Sequence, residues 1–363
     1  METIIDAPMS MIVDHRRSSW VNRSNESNGS STCPISIVIV SFNSERFLPA
    51  CLESALSQTV PFNAIVVIDN ASTDQSRFVI ETYQQHPSPA ITLIAQPTNT
   101  GYAAAANTGI RHVLTDPQVQ LILVANSDII LDAHFNAHVI QKFKDDPAIG
   151  MLSPLMLRFD RKTVDSAGQA CSLTYNPEEI GFNRPLDRVD ITEKAVFSVC
   201  GAATIFSRQA LERLAIDGQY YDEDFFMFWE DFDIGWRAHL LGIPTRFYPR
   251  ALVYHYRSGT LECTIRSRIW SRFSLALARP SAIKYHLIKN RYLTLIKNFR
   301  FHTDGKFIPF IVFSDMIRFT LLTFSSPKII ISLMKSVTYF KRAAVKRQQL
   351  MKRIRETQSP RII

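Results

Sequence analysis

The hydrophobic pattern of the first 150 residues alternates between two kinds of segment. Short β-branched runs at 35–40, 64–68, 91–95 and 121–124 are apolar at almost every position, as strands covered on both faces are. Between them, apolar residues recur at three- and four-residue spacing. Phe47, Leu48, Cys51, Leu52, Ala55 and Leu56 predict one helix, and further helices run through Tyr83 and open at Gly101. Strands alternating with helices predict βαβ units and a mostly parallel sheet. Three of these strands end in polar clusters: Ser41-Phe42-Asn43, residues 69–74, and Asn126-Ser127-Asp128. Ligands of such sheets sit beyond the carboxyl ends of the strands, so the three clusters are predicted to converge on one crevice.

After residue 150 the pattern loosens. Residues 158–194, rich in Asp, Asn, Arg and Pro, read as a long variable excursion. A short strand at 195–199 and an apolar run to Phe206 follow, then an aromatic-acidic cluster at 220–226. Trp229-Glu230-Asp231-Phe232-Asp233 opens a helix predicted to run through Leu241, with Gly242 as its stop and Pro244 just beyond.

Composition narrows the class. With 46% apolar and 20% charged residues over 363 positions, the chain is neither a disordered polymer nor a disulfide miniprotein. Its five cysteines are odd in number and show no CxxC or CxxH pairing, which fits a reducing compartment better than a stapled secreted fold and counts against a zinc knuckle. Residues 1–33 contain Arg16-Arg17 and an Asn/Ser-rich run without an apolar core, and read as a disordered leader rather than a signal peptide. The most apolar later stretch, 307–324, is interrupted by Pro309, Asp315 and Arg318, so no spanning helix is expected.

The net charge of +8 is an average over two unlike parts. Residues 1–263 hold 20 Lys/Arg against 30 Asp/Glu, whereas residues 264–363 hold 21 against 3. In the second part basic residues interleave with aromatics, as around Tyr285-His286-Leu287-Ile288-Lys289. Such helices are expected on an anionic membrane surface, with a solvated face or a protein partner as the plainer alternative. The long apolar segments between the charges argue against nucleic acid.

Six motifs stand in order along 34–260. They are Val40-Ser41-Phe42-Asn43, the Val67-Ile68-Asp69-Asn70-Ala71-Ser72-Thr73-Asp74 turn, Asn99-Thr100-Gly101-Tyr102 with Asn107, Asn126-Ser127-Asp128, Glu230-Asp231-Phe232-Asp233 with Arg237, and His255 after a strand. Together they resemble family 2 glycosyltransferases of the GT-A fold, in the bacterial rhamnosyltransferase and galactofuranosyltransferase-like branch. The resemblance implies an α/β domain at 34–263, a Rossmann-like mostly parallel sheet flanked by helices, followed by a basic helical extension at 264–363. It also implies an inverting, metal-dependent transferase that moves a rhamnose-like or other hexose from a UDP- or dTDP-sugar to a saccharide, lipid-linked acceptor. Its place would be cytoplasmic, peripheral on the inner face of the cell membrane.

Roles follow residue by residue. Asp69 can accept the N3–H of a uracil or thymine ring and Phe42 can stack on it. Ser41, Asn43, Asn99, Gly101, Asn107, Asn126 and Ser127 are expected around the rest of the donor, although strand ends and helix caps explain some of them equally well. No GxGxxG is present, which counts against a dehydrogenase. The family's DxD reads Asn126-Ser127-Asp128, one charge short, leaving Asp128 and His255 as expected ligands of Mn²⁺ or Mg²⁺. Asp231 is the expected general base, with Trp229 and Glu230 lining the acceptor. The acidic cluster also suits the positive end of a helix dipole. Asn126 is equally what a catalytically weak nucleotide-sugar-binding scaffold would carry.

Overall fold

The computed structural model describes residues 34–257 and 280–358; the expected leader at 1–33 and the expected boundary at 263–264 lie outside them. At its centre β1 (Ile35–Ser41), β2 (Ile65–Asp69), β3 (Ile91–Ala95) and β4 (Leu121–Asn126) run parallel in the order β4-β1-β2-β3. They are joined by α1 (Leu48–Leu56), α2 (Ser76–Tyr83) and α3 (Tyr102–Val113). Alternate residues of β1 feed two cores, which is why five of its seven residues are Ile or Val. Ile35, Ile37 and Ile39 meet Leu48 and Leu52 of α1, while Val38 and Val40 meet Ala103, Ala106 and Ile110 of α3. The register sets Ser41 beside Asp69 and Val40 beside Asn126, so the polar clusters end side by side.

Beyond β4 the sheet becomes mixed. The next elements are β5 (Ile129–Leu131), α4 (Phe135–Asp145), β6 (Met151–Arg158), β7 (Thr163–Ser166), β8 (Gln169–Cys171), β9 (Pro177–Glu179), β10 (Arg184–Pro185), β11 (Lys194–Ala195) and β12 (Ala203–Ser207). β12 lies antiparallel between β4 and β6, and β7 and β10 extend that edge. The segment expected as a variable excursion is therefore built from short paired strands. The strand expected at 195–199 is cut short because Phe197 and Ser198 donate their amides to the Gln169 carbonyl instead.

The chain continues through α5 (Arg208–Leu214), α6 (Glu230–Leu240) and β13 (Thr245–His255). Gly242 follows α6 with φ 64°, the left-handed stop expected of it. β13 runs parallel to β6, bulges between Tyr248 and Leu252, and pairs antiparallel with β5, which sets His255 opposite Ile129.

The C-terminal region forms α7 (Ser281–Asn298), α8 (Ile308–Ser325), α9 (Lys328–Met334) and α10 (Val337–Gln358). Leu293, Ala343, Leu350 and Ile354 join the same apolar cluster as Phe232 and Trp236 of α6. Much of the positive charge meets the acidic loop before α6. Lys297 lies 2.5 Å from Asp222 and 2.9 Å from Asp233, Lys346 lies 2.5 Å from Asp222, and Arg342 lies 2.5 Å from Asp224. The final helix is thus part of the folded domain, whereas the sequence suggested an interfacial arm.

Exposed apolar side chains are concentrated on α8. Pro309 occupies its first turn, where the missing N–H is tolerated, so the helix is not interrupted there. Asp315 turns inward to Arg291 at 2.9 Å and to the Tyr292 hydroxyl at 2.8 Å, and Arg318 reaches Asn176 at 2.8 Å. Phe310, Phe313, Met316 and Phe324 face outward, exposed by 52%, 68%, 64% and 85%. This polarity is opposite to that of a helix on a soluble protein. Among the described residues, the helical run Phe301–Phe324 is long and apolar enough to cross a membrane by length and composition.

Candidate active site

Two loops meet at the end of β2. Asp69 is buried, and its Oδ1 accepts the Ser72 amide at 3.3 Å. Phe42 stands at the neighbouring strand end with its ring 45% exposed, free to stack on a planar ligand. Asn43 ties the loops together: its amide donates to Ser72 Oγ at 2.9 Å and its Oδ1 accepts the Thr73 amide at 2.8 Å. Asn99 shapes the next turn by accepting from Gly101 N at 2.9 Å and from Asn70 Nδ2 at 3.0 Å. Asn70, which the sequence reading passed over, also accepts from the Thr100 amide at 3.0 Å and so locks the β2 end to the N-terminus of α3. Gly101 takes φ 83°, and a Cβ there would stand 2.5 Å from the Phe226 carbonyl oxygen.

Four expected contacts are redirected, that of Ser127 among them. Ser41 is completely buried, so its side chain does not reach the crevice. Asn107 is buried too. It bridges α3 to the loop before α6, donating to the Tyr221 carbonyl at 2.8 Å and to Glu223 at 2.9 Å, and accepting the Tyr221 amide at 2.9 Å. Trp229 is only 8% exposed and sets its ring edge-on to Phe232 at 5.7 Å, which makes it core rather than cleft wall.

At the β4 end, Asp128 and His255 meet. Nε2 of His255 lies 3.3 Å from Asp128 Oδ1, and its Nδ1 lies 2.8 Å from Asp165 Oδ2. Burial opposes a charge on His255, but the carboxylates on either side lift its pKa to about 9. Arg257 pairs with Asp165 in turn. A buried carboxylate and an imidazole whose other nitrogen is oriented by a second carboxylate make a suitable donor pair for a divalent cation once the cation displaces the Nε2 proton. Among the described residues these two are not joined by a third side-chain ligand. Ser127 faces the other way and donates to Ser44 Oγ at 2.7 Å.

Asp231 starts the first turn of α6. Its Oδ2 accepts from Gln169 Nε2 at 2.8 Å and from the Gly201 amide at 3.0 Å, and its Oδ1 accepts the Phe232 amide at 2.8 Å. Burial nonetheless outweighs these donors and raises its pKa above the usual aspartate range. Glu230 is also pushed well above the usual carboxylate range, by burial and then by the Asp231 charge.

The peptide Gly201-Ala202 joins the parts. Gly201 donates to Asp231, its carbonyl accepts from the Tyr102 hydroxyl at 2.9 Å, and the Ala202 carbonyl accepts the Asn126 amide at 3.0 Å. Gln169 Nε2 also donates to Glu179 at 2.9 Å, and Glu179 accepts the Ser166 hydroxyl at 2.5 Å, so Gln169 is held from both sides. Asp165, Gln169, Glu179 and Arg257 were all missed from sequence. The one signal for the first three was acidic and amide residues in a segment without a hydrophobic period, and Arg257 stands two residues after His255.

Residues 36–215 match the sequence model of Glycosyl transferase family 2. The chain carries a family 2 glycosyltransferase domain. Its curated relatives include poly-beta-1,6-N-acetyl-D-glucosamine synthase of Staphylococcus epidermidis (strain ATCC 35984), 24% identical over 239 residues that cover 66% of this chain and 54% of the relative. The same-named protein of Staphylococcus aureus (strain COL) is 23% identical with the same coverage. The chain thus spans about half the length of these relatives. Among solved structures, GalNAc-T7 with UDP, GalNAc and Mn²⁺ superposes with a TM-score of 0.54 at 14% identity, covering 74% of this chain and 48% of that one. That likeness gives the family 2 domain its GT-A fold.

Proposed function

We propose that this domain transfers a sugar from a UDP- or dTDP-sugar, rhamnose-like or another hexose, to a saccharide acceptor, with inversion at the anomeric carbon. The observation that carries the reading is the Gly201-Ala202 peptide, whose hydrogen bonds draw Asp231, Tyr102 beside Gly101, and Asn126 beside Asp128 around one crevice. Asp69 and Phe42 suit the base of a uridine or thymidine nucleotide. Asp231 takes the proton of the acceptor hydroxyl as that oxygen attacks, and its raised pKa makes it a stronger base than an exposed aspartate. Asp128 and His255 Nε2 are the residues that would hold Mn²⁺ or Mg²⁺, which neutralises charge on the departing diphosphate when bound.

A panel of UDP- and dTDP-sugars, including UDP-N-acetylglucosamine because of the relatives' named product, tests the reading. One donor is expected to be hydrolysed or transferred at least about tenfold faster than the rest with Mn²⁺ present. Nucleotide binding without turnover of any donor would leave a binding scaffold as the better description.

The acceptor in this reading is lipid-linked and the enzyme rests on the inner, cytoplasmic face of the cell membrane. Support comes from α8, whose outward side is apolar, and from Lys306, Lys328 and Lys335, which are exposed around it. Because Asp315 and Arg318 are tied to the domain, the helix fits lying in the interface rather than crossing it. Changing Phe310, Phe313 and Met316 to serine removes about 2 kcal/mol of apolar burial per residue on insertion. Binding to vesicles containing anionic lipid is expected to fall by at least about a hundredfold, with the melting temperature kept. Unchanged binding by the folded triple variant would defeat the interfacial reading.

A further inference from the structure

The loop that leads into Asp231 follows a path few bulky residues adopt. Phe226, Phe228 and Trp229 have φ of 68°, 66° and 73°. Phe226, with ψ −62°, closes a three-residue γ-turn in which the Met227 amide donates to the Phe225 carbonyl at 2.8 Å. A γ-turn of this hand is rare, and positive φ at large side chains persists only where the surroundings over-determine it.

What over-determines it is α7. Asn290 is completely buried, and its Nδ2 donates to the carbonyls of Phe225 at 3.0 Å, Met227 at 2.7 Å and Phe228 at 2.8 Å. Beside it, Lys289 Nζ donates to the Asp224 carbonyl, and His286 stacks on Phe226 with ring centroids 5.0 Å apart. The loop held in this way touches both ends of the crevice. The Phe226 carbonyl accepts the Ala103 amide at 3.3 Å and lies where Gly101 has no side chain. Two residues after Phe228, α6 begins with Glu230 and Asp231.

We propose that Asn290 is a positioning residue for the transfer reaction. By gathering three carbonyls of the 225–229 loop it sets the placement of Asp231 relative to the donor loop at Gly101, without touching a reacting atom. The proposal rests on the reading of Asp231 as the base. It also assigns α7, from the basic region, to the catalytic unit. A helix that merely filled the core would affect stability through Leu293 and leave the chemical step alone.

The test uses the full chain with Asn290→Asp, which turns the donor into an acceptor of the same shape, and Asn290→Ala, which deletes the donor without adding a repelling oxygen. Steady-state kinetics use the sugar nucleotide that the wild type turns over, and binding is measured with UDP or dTDP to match. In both variants kcat is expected to fall about a hundredfold, while KM for the donor and nucleotide affinity stay within about threefold. Hydrogen exchange without ligand is expected to quicken across 225–231 and to stay unchanged in β1 and β2. A folded variant with wild-type kcat, or with unchanged exchange at 225–231, would overturn the proposal. So would failure of both variants to fold, since Asn290 would then be structural. A wild type that turns over no sugar nucleotide defeats the reading of the base, and the exchange measurement then decides whether Asn290 holds the loop.

Discussion

Asp231→Asn is expected to reduce sugar transfer by at least about a thousandfold while leaving UDP or dTDP affinity within about threefold. In the proposed reading, removing the base strikes only the chemical step, because the donor would sit at the ends of β1 and β2 rather than on Asp231. The same variant should not melt earlier than wild type, and that second readout follows from the pKa. Burial raises the Asp231 pKa in the fold, so the folded state binds a proton more tightly than the unfolded chain does. Stability therefore declines as pH rises from the unfolded value of about 3.9 to the folded one, and the penalty persists at neutral pH. Asparagine carries no such penalty. It keeps an acceptor for Gly201 and Gln169, although its amino group would face the Phe232 amide. In the wild type, transfer should fall away on acidification at a pH above the ordinary aspartate range, since the base is lost as Asp231 takes a proton. Transfer by Asp231→Asn at near the wild-type rate would remove the base assignment.

How much of this was legible in the sequence depends on what positions each residue. Asp69, Asn126 and Asp128 follow directly from strand ends, because a parallel sheet aligns those ends whatever the loops do. The pairing of Ser41 with Asp69 and of Val40 with Asn126 is that alignment. Side-chain direction was less accessible. Ser41, Asn107 and Trp229 occupy the expected segments but turn inward, and period-two or helical phase near a turn does not reveal that. Asp165, Gln169 and Glu179 depend on strands of three or four residues whose pairing is set by β6 and by the backbone of Ser198. Such strands are too short to imprint a period. The basic region offered only its charge and its interleaved apolar residues, and neither names a partner. In the sequence Asp315 and Arg318 interrupt an apolar stretch, whereas in the fold they are contacts that pin α8 to the domain.

The partner of much of that charge is the acidic loop, and Lys297→Met should expose how strongly the two halves of the chain depend on each other. Lys297 is 1% exposed and sits between Asp222 at 2.5 Å and Asp233 at 2.9 Å. Methionine keeps the apolar stem but withdraws a cation from a buried cluster in which Asp222 retains Lys346, and Asp233 retains Arg237 and Asn298. Leaving buried carboxylates short of a partner costs about 3–5 kcal/mol, a large share of the roughly 5–15 kcal/mol that holds a domain together. Chemical denaturation is expected to show a loss of that size. Asp222→Asn in the same chain should restore part of it, because the uncompensated charge is then gone. Acid supplies an independent check. Burial works against the Asp222 charge, but Lys297 and Lys346 hold its pKa well below the usual carboxylate range. Its stabilisation is therefore complete above the unfolded pKa of about 3.9 and is lost as pH falls through the folded one. Wild type should lose more stability between about pH 4 and pH 2 than Lys297→Met does. Equal acid sensitivity, or a loss below about 1 kcal/mol, would mean that the negative domain and the positive tail are merely adjacent. The expected result instead makes Lys297 and Lys346 the reason that 30 acidic residues and a strongly basic tail belong to one folded unit.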